Sequence, residues 1–230
     1  MKIKKMDHKE EVEHNRIDDK FFNHKRYDYG YIFNRYGLHN KKNRVLDVGC
    51  GVGQNLRYFS PESVGITYAN DESLEYVKNK YKLNFRKFNI DENWPEDLGK
   101  FDAIFSADCI IHLCSPFKML LESRRFLKDD GVLIIMIPQS SPFFKADEFI
   151  GHWYTFNRKT LIHSMEHAGF SVIKTYGYIR RLPSWLNTML NPLTSRFGPY
   201  VWVVARKNFD YDIAEAHIRP NWINPDCLEN

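Results

Sequence analysis

Glycine alternates with other residues in one short loop, at positions 49, 51 and 53. The loop follows an apolar run from Val45 to Val48 that is typical of a buried strand, and we expect a helix to start at Gln54. Glycine is needed where a backbone turns tightly and where a ligand approaches it closely. A strand, a glycine loop and a helix in this order can bind a dinucleotide or another adenosine-bearing cofactor.

One charged residue in the strand narrows the choice of cofactor. Asp47 lies two residues before the first glycine, where its carboxylate would repel the pyrophosphate of a dinucleotide. The dinucleotide fingerprint also needs a glycine at position 54, which is Gln54 in this chain. An aspartate in this place suits a ligand with a cationic amino group, such as S-adenosylmethionine. A nicotinamide-dependent oxidoreductase is therefore disfavoured.

The loop and three later segments together resemble the small-molecule branch of the class I S-adenosylmethionine-dependent methyltransferases. The segments are VLDVGCGVG at 45–53, FDAIFSADCIIHL at 101–113, FLKDDGVLIIMIP at 126–138 and AGF at 168–170. The resemblance extends over about residues 40–206. It implies a single-domain, Rossmann-like α/β fold: a seven-stranded, mostly parallel sheet with helices on both faces and an antiparallel last strand. It also implies S-adenosylmethionine as the methyl donor, S-adenosylhomocysteine as the product and no metal.

The resemblance places the methionine end of the donor at the glycine loop. Asp47 and the residues Gly49, Cys50, Gly51 and Gly53 would hold this end. The backbone at the end of the fourth strand would lie beside the sulfonium. The residues implied there are Ser106 and Ala107.

The adenosine end is expected to meet the residues after the second and third strands. The family usually has an acidic residue for the ribose hydroxyls where this chain has Thr67, and a neutral hydroxyl makes a weaker bond than a carboxylate. Tyr68 is predicted to pack on the adenine or the ribose. Asn89 would contact the adenine amino group, and Ile90 would cover the ring.

Two histidines at the same sheet edge are the candidate catalytic bases. Methylation of a hydroxyl needs a base within hydrogen-bond reach, and imidazole is the side chain best suited to that near neutral pH. His112 is the first candidate and His152 the second. The predicted acceptor-binding residues are Asp108, Trp153, Tyr154 and Tyr29.

These acceptor-site assignments have structural alternatives. Asp108 could instead cap a short helical turn, and the aromatic residues near His152 could be ordinary packing. Tyr29 belongs either to a lid over the cofactor or to a helix packed on the sheet.

The apolar segments predict the elements that position these residues. Strands are predicted at 45–48, 64–66, 84–88, 101–106, 132–137, 170–178 and 198–205, and helices at 54–59, 71–80, 116–127 and 159–168. We divide the chain into a helical cap (1–43), whose helix starts at Asp18 or Asp19 and ends at Gly37, a methyltransferase domain (44–206) and a polar tail (207–230). An apolar insertion (179–198), predicted to be one helix, precedes the last strand. Its residues 185–193 could join the core, contact an apolar acceptor or membrane surface, or form a homodimer interface.

Composition and motifs exclude several other classes. The 33 basic and 29 acidic residues give a net charge of +4 and are interspersed, so no nucleic-acid partner is expected. The longest apolar run, Val132 to Ile137, is far shorter than the roughly 20 residues of a membrane helix. With no export signal and no paired cysteine spacing, we expect a cytoplasmic protein. The zinc-protease pattern from His163 to His167 falls on a solvated helix face, so no metal is predicted.

The sequence therefore predicts an enzyme that methylates a small acceptor, most simply a hydroxyl oxygen of a polar metabolite or saccharide. Two alternatives stay open. One is a lipid-directed enzyme, or a C- or N-methyltransferase, of the same fold. The other is a catalytically silent relative that binds the cofactor and acts through interactions.

Overall fold

The computed structural model describes residue 22 and residues 29–68, 71–141, 152–179 and 182–211, without the side chains of residues 184 and 185. The strands of this part of the chain are β1 Val45–Val48, β2 Val64–Thr67, β3 Phe85–Lys87, β4 Phe101–Ala107, β5 Leu127–Pro138, β6 Phe170–Tyr178 and β7 Tyr200–Lys207. The helices are α1 Gly30–Arg35, α2 Asp71–Tyr81, α3 Pro116–Phe126, α4 Arg158–His167, α5 Ser184–Met189 and α6 Asn191–Phe197.

The strands form one seven-stranded sheet in the order β3-β2-β1-β4-β5-β7-β6. The first five strands pair in parallel, whereas β7 runs antiparallel to both β5 and β6. This arrangement confirms the predicted fold. Because parallel strands end at the same edge, the residues that follow β1, β2 and β4 lie close together at the carboxyl edge of the sheet.

Apolar side chains cover both faces of the sheet. All four residues of β1 are buried, as expected for a central strand between two layers. Leu46 and Val48 join the core cluster that includes residues of α3 and α4, while Val45 joins the cluster that includes residues of α1. Since side chains alternate along a strand, Asp47 shares the α1 face with Val45.

Two local predictions were wrong at their boundaries. The predicted helix at 54–59 is only one 3-10 turn, Leu56–Tyr58, and Phe59 is already extended. Pro61 restricts the residue directly before it, Ser60, to extended backbone, so a helix could not continue past this point. The strand predicted at 132–137 is longer in the structure, because β5 starts at Leu127 and pairs with β4 through a register shift.

The insertion before β7 contains two short helices where the sequence predicted one. Helix α6 packs against the edge strand β6, where a side chain at Gly177 would clash with the backbone of Thr194. The Asn191 side chain accepts from the Gly177 N–H at 2.8 Å and donates to the Thr175 carbonyl at 3.1 Å. The insertion thereby covers hydrogen-bonding groups that an edge strand would otherwise expose.

Several predicted features lie wholly or partly outside the described residues. Helix α1 ends as predicted before Gly37, which has a φ of +67°. The predicted start of that helix and most of the polar tail are outside the described part of the chain, so the division into cap, domain and tail stays a prediction. No helix among the described residues is long and apolar enough to cross a membrane.

Candidate functional site

The first and last glycines of the loop pack closely against neighbouring side chains. Gly49, Gly51 and Gly53 all have positive φ, at +74°, +55° and +79°. A side chain at Gly49 would clash with the Cys109 side chain, and one at Gly53 would meet the Phe85 ring at 2.5 Å. A Cβ at Gly51 would instead meet no atom within 4 Å. The loop is therefore packed at both ends and open in the middle, as a loop that a ligand approaches must be.

Asp47 places a buried carboxyl group on the α1 face of the sheet, next to this loop. The residue is 1% exposed, and its Oδ2 has no hydrogen-bond partner among the described residues. Burial raises the pKa of Asp47 to about 7, although a hydrogen bond from Asn55 lowers it in part. A buried carboxylate with a free oxygen can be satisfied by a cation, so the site fits the amino group of S-adenosylmethionine.

We predict that the affinity for S-adenosylhomocysteine rises as the pH increases toward about 7 and then levels off. Below this pKa the carboxyl group is protonated and no longer attracts the amino group, so each pH unit lowers the affinity by up to about tenfold. Calorimetry at several pH values measures the profile. The Asp47→Asn variant should bind weakly throughout and lose the pH dependence. A flat wild-type profile would mean that Asp47 does not hold the amino group.

The same pKa shift affects the stability of the ligand-free protein. Without ligand, the folded chain keeps the Asp47 proton to higher pH than the unfolded chain, whose carboxyl has a pKa of about 3.8. The protonated Asp47 carboxyl therefore stabilises the folded state fully below a pH of about 3.8, and this stabilisation is lost as the pH rises to about 7. Burial also raises the pKa of Cys50 well above its ordinary value and that of Cys109 to about 12, so these neighbouring thiols stay neutral in this range.

The end of β2 lies against the glycine loop. The backbone N–H groups of Gly49 and Cys50 both donate to the Ile66 carbonyl, at 2.9 and 3.1 Å. Thr67 is buried, and its side chain hydrogen-bonds the Cys50 thiol. Tyr68 is 74% exposed, so its ring is accessible beside the loop. The predicted contacts of Thr67 with the ribose and of Tyr68 with a ring stay predictions.

The segment after β3 is held by local hydrogen bonds. The Asn89 side chain accepts from the Asp91 N–H at 3.1 Å and donates to Glu92 at 3.2 Å. The Asp91 carboxylate in turn accepts from the backbone N–H of Ser115, at 2.7 Å. Ile90 is buried in the core cluster on the α3 and α4 face. The assignments of Asn89 and Ile90 to the adenine stay predictions.

The end of β4 connects the glycine loop to the predicted acceptor side. The Ser106 hydroxyl is buried and donates to the Val48 carbonyl at 3.0 Å, which ties β4 to β1. Ala107 is partly buried, and Asp108 has a φ of +55°, which is uncommon for a residue other than glycine. The Asp108 N–H donates to the Met136 carbonyl at 3.1 Å, so the turn is fixed on β5.

The structure brings the two candidate bases into contact. The His112 and His152 rings are 4.9 Å apart and nearly perpendicular. The segment after residue 151 is held on the turn that contains His112, because the Trp153 N–H donates to the Ile111 carbonyl at 2.9 Å. The Tyr154 hydroxyl donates to the Cys114 carbonyl at 3.0 Å, and Trp153 is 73% exposed. Residues 40 positions apart thus form one cluster beyond the end of β4.

Tyr29 lies on the α1 face of the sheet. Its ring contacts those of Phe105 and Trp202, at centroid distances of 5.6 and 5.1 Å. It therefore packs on the sheet between β4 and β7, which is the structural alternative noted above. Its predicted contact with the acceptor stays a prediction.

Sequence reasoning missed three residues that shape the loop. Asn55 hydrogen-bonds Asp47, Cys109 packs against Gly49, and Phe85 packs against Gly53. Asn55 follows the loop directly and could have been noticed as a polar neighbour. The other two come from distant segments, and no local pattern signals their contacts.

The fold and the loop together define a class I methyltransferase architecture, and comparison with known proteins agrees. A family model described as a methyltransferase domain matches residues 21–175, well over half of the chain. The chain therefore belongs to the class I S-adenosylmethionine-dependent methyltransferases.

Several curated relatives are similar over part of their length. A protein of Geobacillus sp. (strain WCH70) that is named a methyltransferase is 25% identical, over 65% of this chain and 69% of its own. The tRNA U34 carboxymethyltransferase of Hydrogenovibrio crunogenus is 24% identical, over 64% of this chain and 52% of its own. The ubiquinone biosynthesis O-methyltransferase of Dechloromonas aromatica is 24% identical, over 43% of this chain and 46% of its own. The chain spans about half the length of the latter two.

Solved structures show the same fold. The S-adenosylmethionine-dependent methyltransferase of Archaeoglobus fulgidus superposes with a TM-score of 0.59 at 19% identity. The superposition covers 82% of this chain and 97% of the other. At this identity the likeness concerns the fold and not the acceptor.

Proposed function

We propose that the protein transfers the methyl group of S-adenosylmethionine to a hydroxyl oxygen of a small polar metabolite or saccharide. The observation that supports an oxygen acceptor is the contact between His112 and His152 beyond the end of β4. A neutral hydroxyl is a poor nucleophile, and a base beside it contributes roughly 10²–10⁴-fold to such a reaction. The D. aromatica relative is itself named an O-methyltransferase.

In this proposal the chain's own residues bind and orient the two reactants. The Asp47 carboxylate holds the amino group of the donor, and the open space at Gly51 leaves room for its methionine end. The donor supplies a methyl carbon that its sulfonium already activates for displacement. Aligning the two reactants can account for roughly 7–11 kcal/mol of the barrier in favourable cases.

His112 acts on the acceptor. Its imidazole takes the hydroxyl proton as the oxygen forms its bond to the methyl carbon and the carbon–sulfur bond breaks. His152 and Trp153 lie beside it and bind the acceptor, with Tyr154 at the edge of the same cluster. Asp108, in the turn after β4, also contacts the acceptor in this proposal. The proton then leaves to solvent, since His112 is exposed.

An assay with a methyl-labelled donor tests the acceptor class. The protein is incubated with pools of saccharides and hydroxylated metabolites and, separately, with total tRNA, because one relative is named for a tRNA modification. We expect label in the small-molecule fraction, in linkages that resist mild alkali as ethers do and carboxyl esters do not. Label in the tRNA, or in alkali-labile products, would contradict the proposed acceptor.

A lipid-directed reaction is the second candidate. Met189 and Leu193, in the insertion, are 65% and 61% exposed and could contact an apolar acceptor, a membrane surface or a second copy of the chain. Adding lipid vesicles to the same assay distinguishes this case, because label would then appear in the lipid extract.

A further inference from the structure

A partly open pocket lies on the α1 face of the sheet, at the carboxyl end of β6. Helix α1 and the insertion form its sides. The lining includes Tyr31, Ile32, Tyr176, Tyr178, Thr188 and Trp202. Trp202 is 2% exposed, whereas Thr188 is exposed at the surface. The pocket is separate from the His112 and His152 cluster, and the reaction described above does not use it.

The pocket is in line with the end of β4. Ala107, Met136 and Trp202 are register partners across β4, β5 and β7, and all three pack on the α1 face. Two strand spacings separate Ala107 from Trp202, which corresponds to about 10 Å. The Tyr29 ring lies along this line, since it contacts both Trp202 and Phe105. A molecule that reaches from the pocket to the end of β4 would pass over the Tyr29 ring, because Met136 and Phe105 are fully buried.

Aromatic rings make up much of the pocket lining, and few polar groups there are available to a ligand. No described residue that lines it has a carboxylate or a basic side chain. The Asn187 amide donates to the Ile179 and Leu182 carbonyls, at 3.2 and 3.0 Å, so it is used within the insertion. The Tyr176 hydroxyl is 2.9 Å from that of Tyr36, and burial with this bond raises the pKa of Tyr36 above its ordinary value. The Tyr176 hydroxyl is therefore already paired within the fold.

A ligand for this pocket must match that chemistry. Aromatic rings bind well between tyrosine and tryptophan side chains, in stacked or edge-to-face arrangements. A charged group would lose its hydration without gaining a partner, and a saccharide would leave several hydroxyls without partners. The lining thus favours an uncharged aromatic ring.

We propose that this pocket binds an uncharged aromatic ring of the methyl acceptor, and that the reacting hydroxyl lies on another part of the acceptor, toward the end of β4. This inference rests on the proposed function and narrows its acceptor to a compound with such a ring.

Ligand-detected NMR with phenol as the probe, in the presence of S-adenosylhomocysteine, tests the proposal. We expect phenol to bind the wild-type protein, and glucose and benzoate to bind at least about tenfold more weakly. The Thr188→Trp variant should weaken phenol binding by about tenfold or more, because the larger side chain fills the mouth. Met189→Trp is the matched control, since the neighbouring residue is exposed and does not line the pocket. It should leave phenol binding unchanged.

A second measurement does not depend on a variant. Phenol should shift the methyl resonance of Ile32, which lines the pocket, and leave that of Ile173 unchanged, which is exposed on β6. Preferred binding of glucose or benzoate, or equal phenol binding by Thr188→Trp, would overturn the inference. So would an unshifted Ile32 resonance. Calorimetry with S-adenosylhomocysteine separates this from the proposed function: if it binds while phenol does not, only the pocket assignment fails.

Discussion

Gly51→Val is expected to abolish binding of S-adenosylmethionine and S-adenosylhomocysteine while the protein stays folded. A side chain at Gly51 meets no protein atom within 4 Å, so it would enter the space that we assign to the methionine end of the donor. We expect the affinity to fall by more than about 100-fold, or about 2.8 kcal/mol. Calorimetry measures the loss, and thermal unfolding reports whether the variant is folded.

Backbone strain has to be separated from obstruction of the site. Valine at a positive φ costs roughly 1–3 kcal/mol of stability wherever it is placed. Gly37 supplies the control, because its φ is +67° and its Cβ would meet only the side-chain amide of Asn43, at 3.2 Å. Gly37→Val should therefore also lower the unfolding temperature but keep its affinity. If Gly51→Val folds and binds normally, the donor lies elsewhere.

His112→Ala should lower turnover by roughly 10²–10⁴-fold with little change in donor affinity. The reason is that the hydroxyl of the acceptor loses the base that takes its proton. His152→Ala should chiefly raise KM for the acceptor, because this ring lies beside His112 and contacts the acceptor in our proposal. Turnover is measured as S-adenosylhomocysteine formed with the acceptor that the labelling assay identifies.

A second pair of histidines provides the control for this experiment. The His163 and His167 rings on α4 are 4.0 Å apart, and His163 is exposed away from the carboxyl edge. His163→Ala removes an imidazole of similar surroundings and should leave turnover unchanged. Full turnover in both His112→Ala and His152→Ala would contradict the assignment of a histidine base.

The sheet and the loop were predictable because their signals are local. Continuous apolar runs such as Val45 to Val48 mark buried parallel strands, and alternating glycines mark a turn that needs positive φ. The three glycines of the loop have that conformation. The seven-stranded, mostly parallel sheet with an antiparallel last strand followed from the resemblance, and the structure confirms it.

The parts that could not be predicted depend on contacts between distant segments. Nothing near Cys109 in the sequence shows that it supports Gly49, some 60 positions earlier. Ile90 has the same apolar character whether it covers a ligand or fills the core, and the structure buries it in the core. The division of the insertion into two helices depends on the packing of α6 against Gly177.

The aromatic pocket also could not be predicted from the sequence. Tyr31, Tyr176 and Trp202 come from three segments, and only the folding of α1 over β6 and β7 brings them together. The sequence directed attention to His112 and His152 because their position after the strands is visible in it. It gave no comparable signal for the pocket.

Calorimetric titration of the wild-type protein with S-adenosylmethionine, S-adenosylhomocysteine and NAD tests the central claim most directly. The buried Asp47 carboxyl and the open space at Gly51 predict that both sulfur-containing nucleosides bind and that NAD does not. Binding of NAD without any response to S-adenosylhomocysteine would contradict the assignment of this site to a methyl donor.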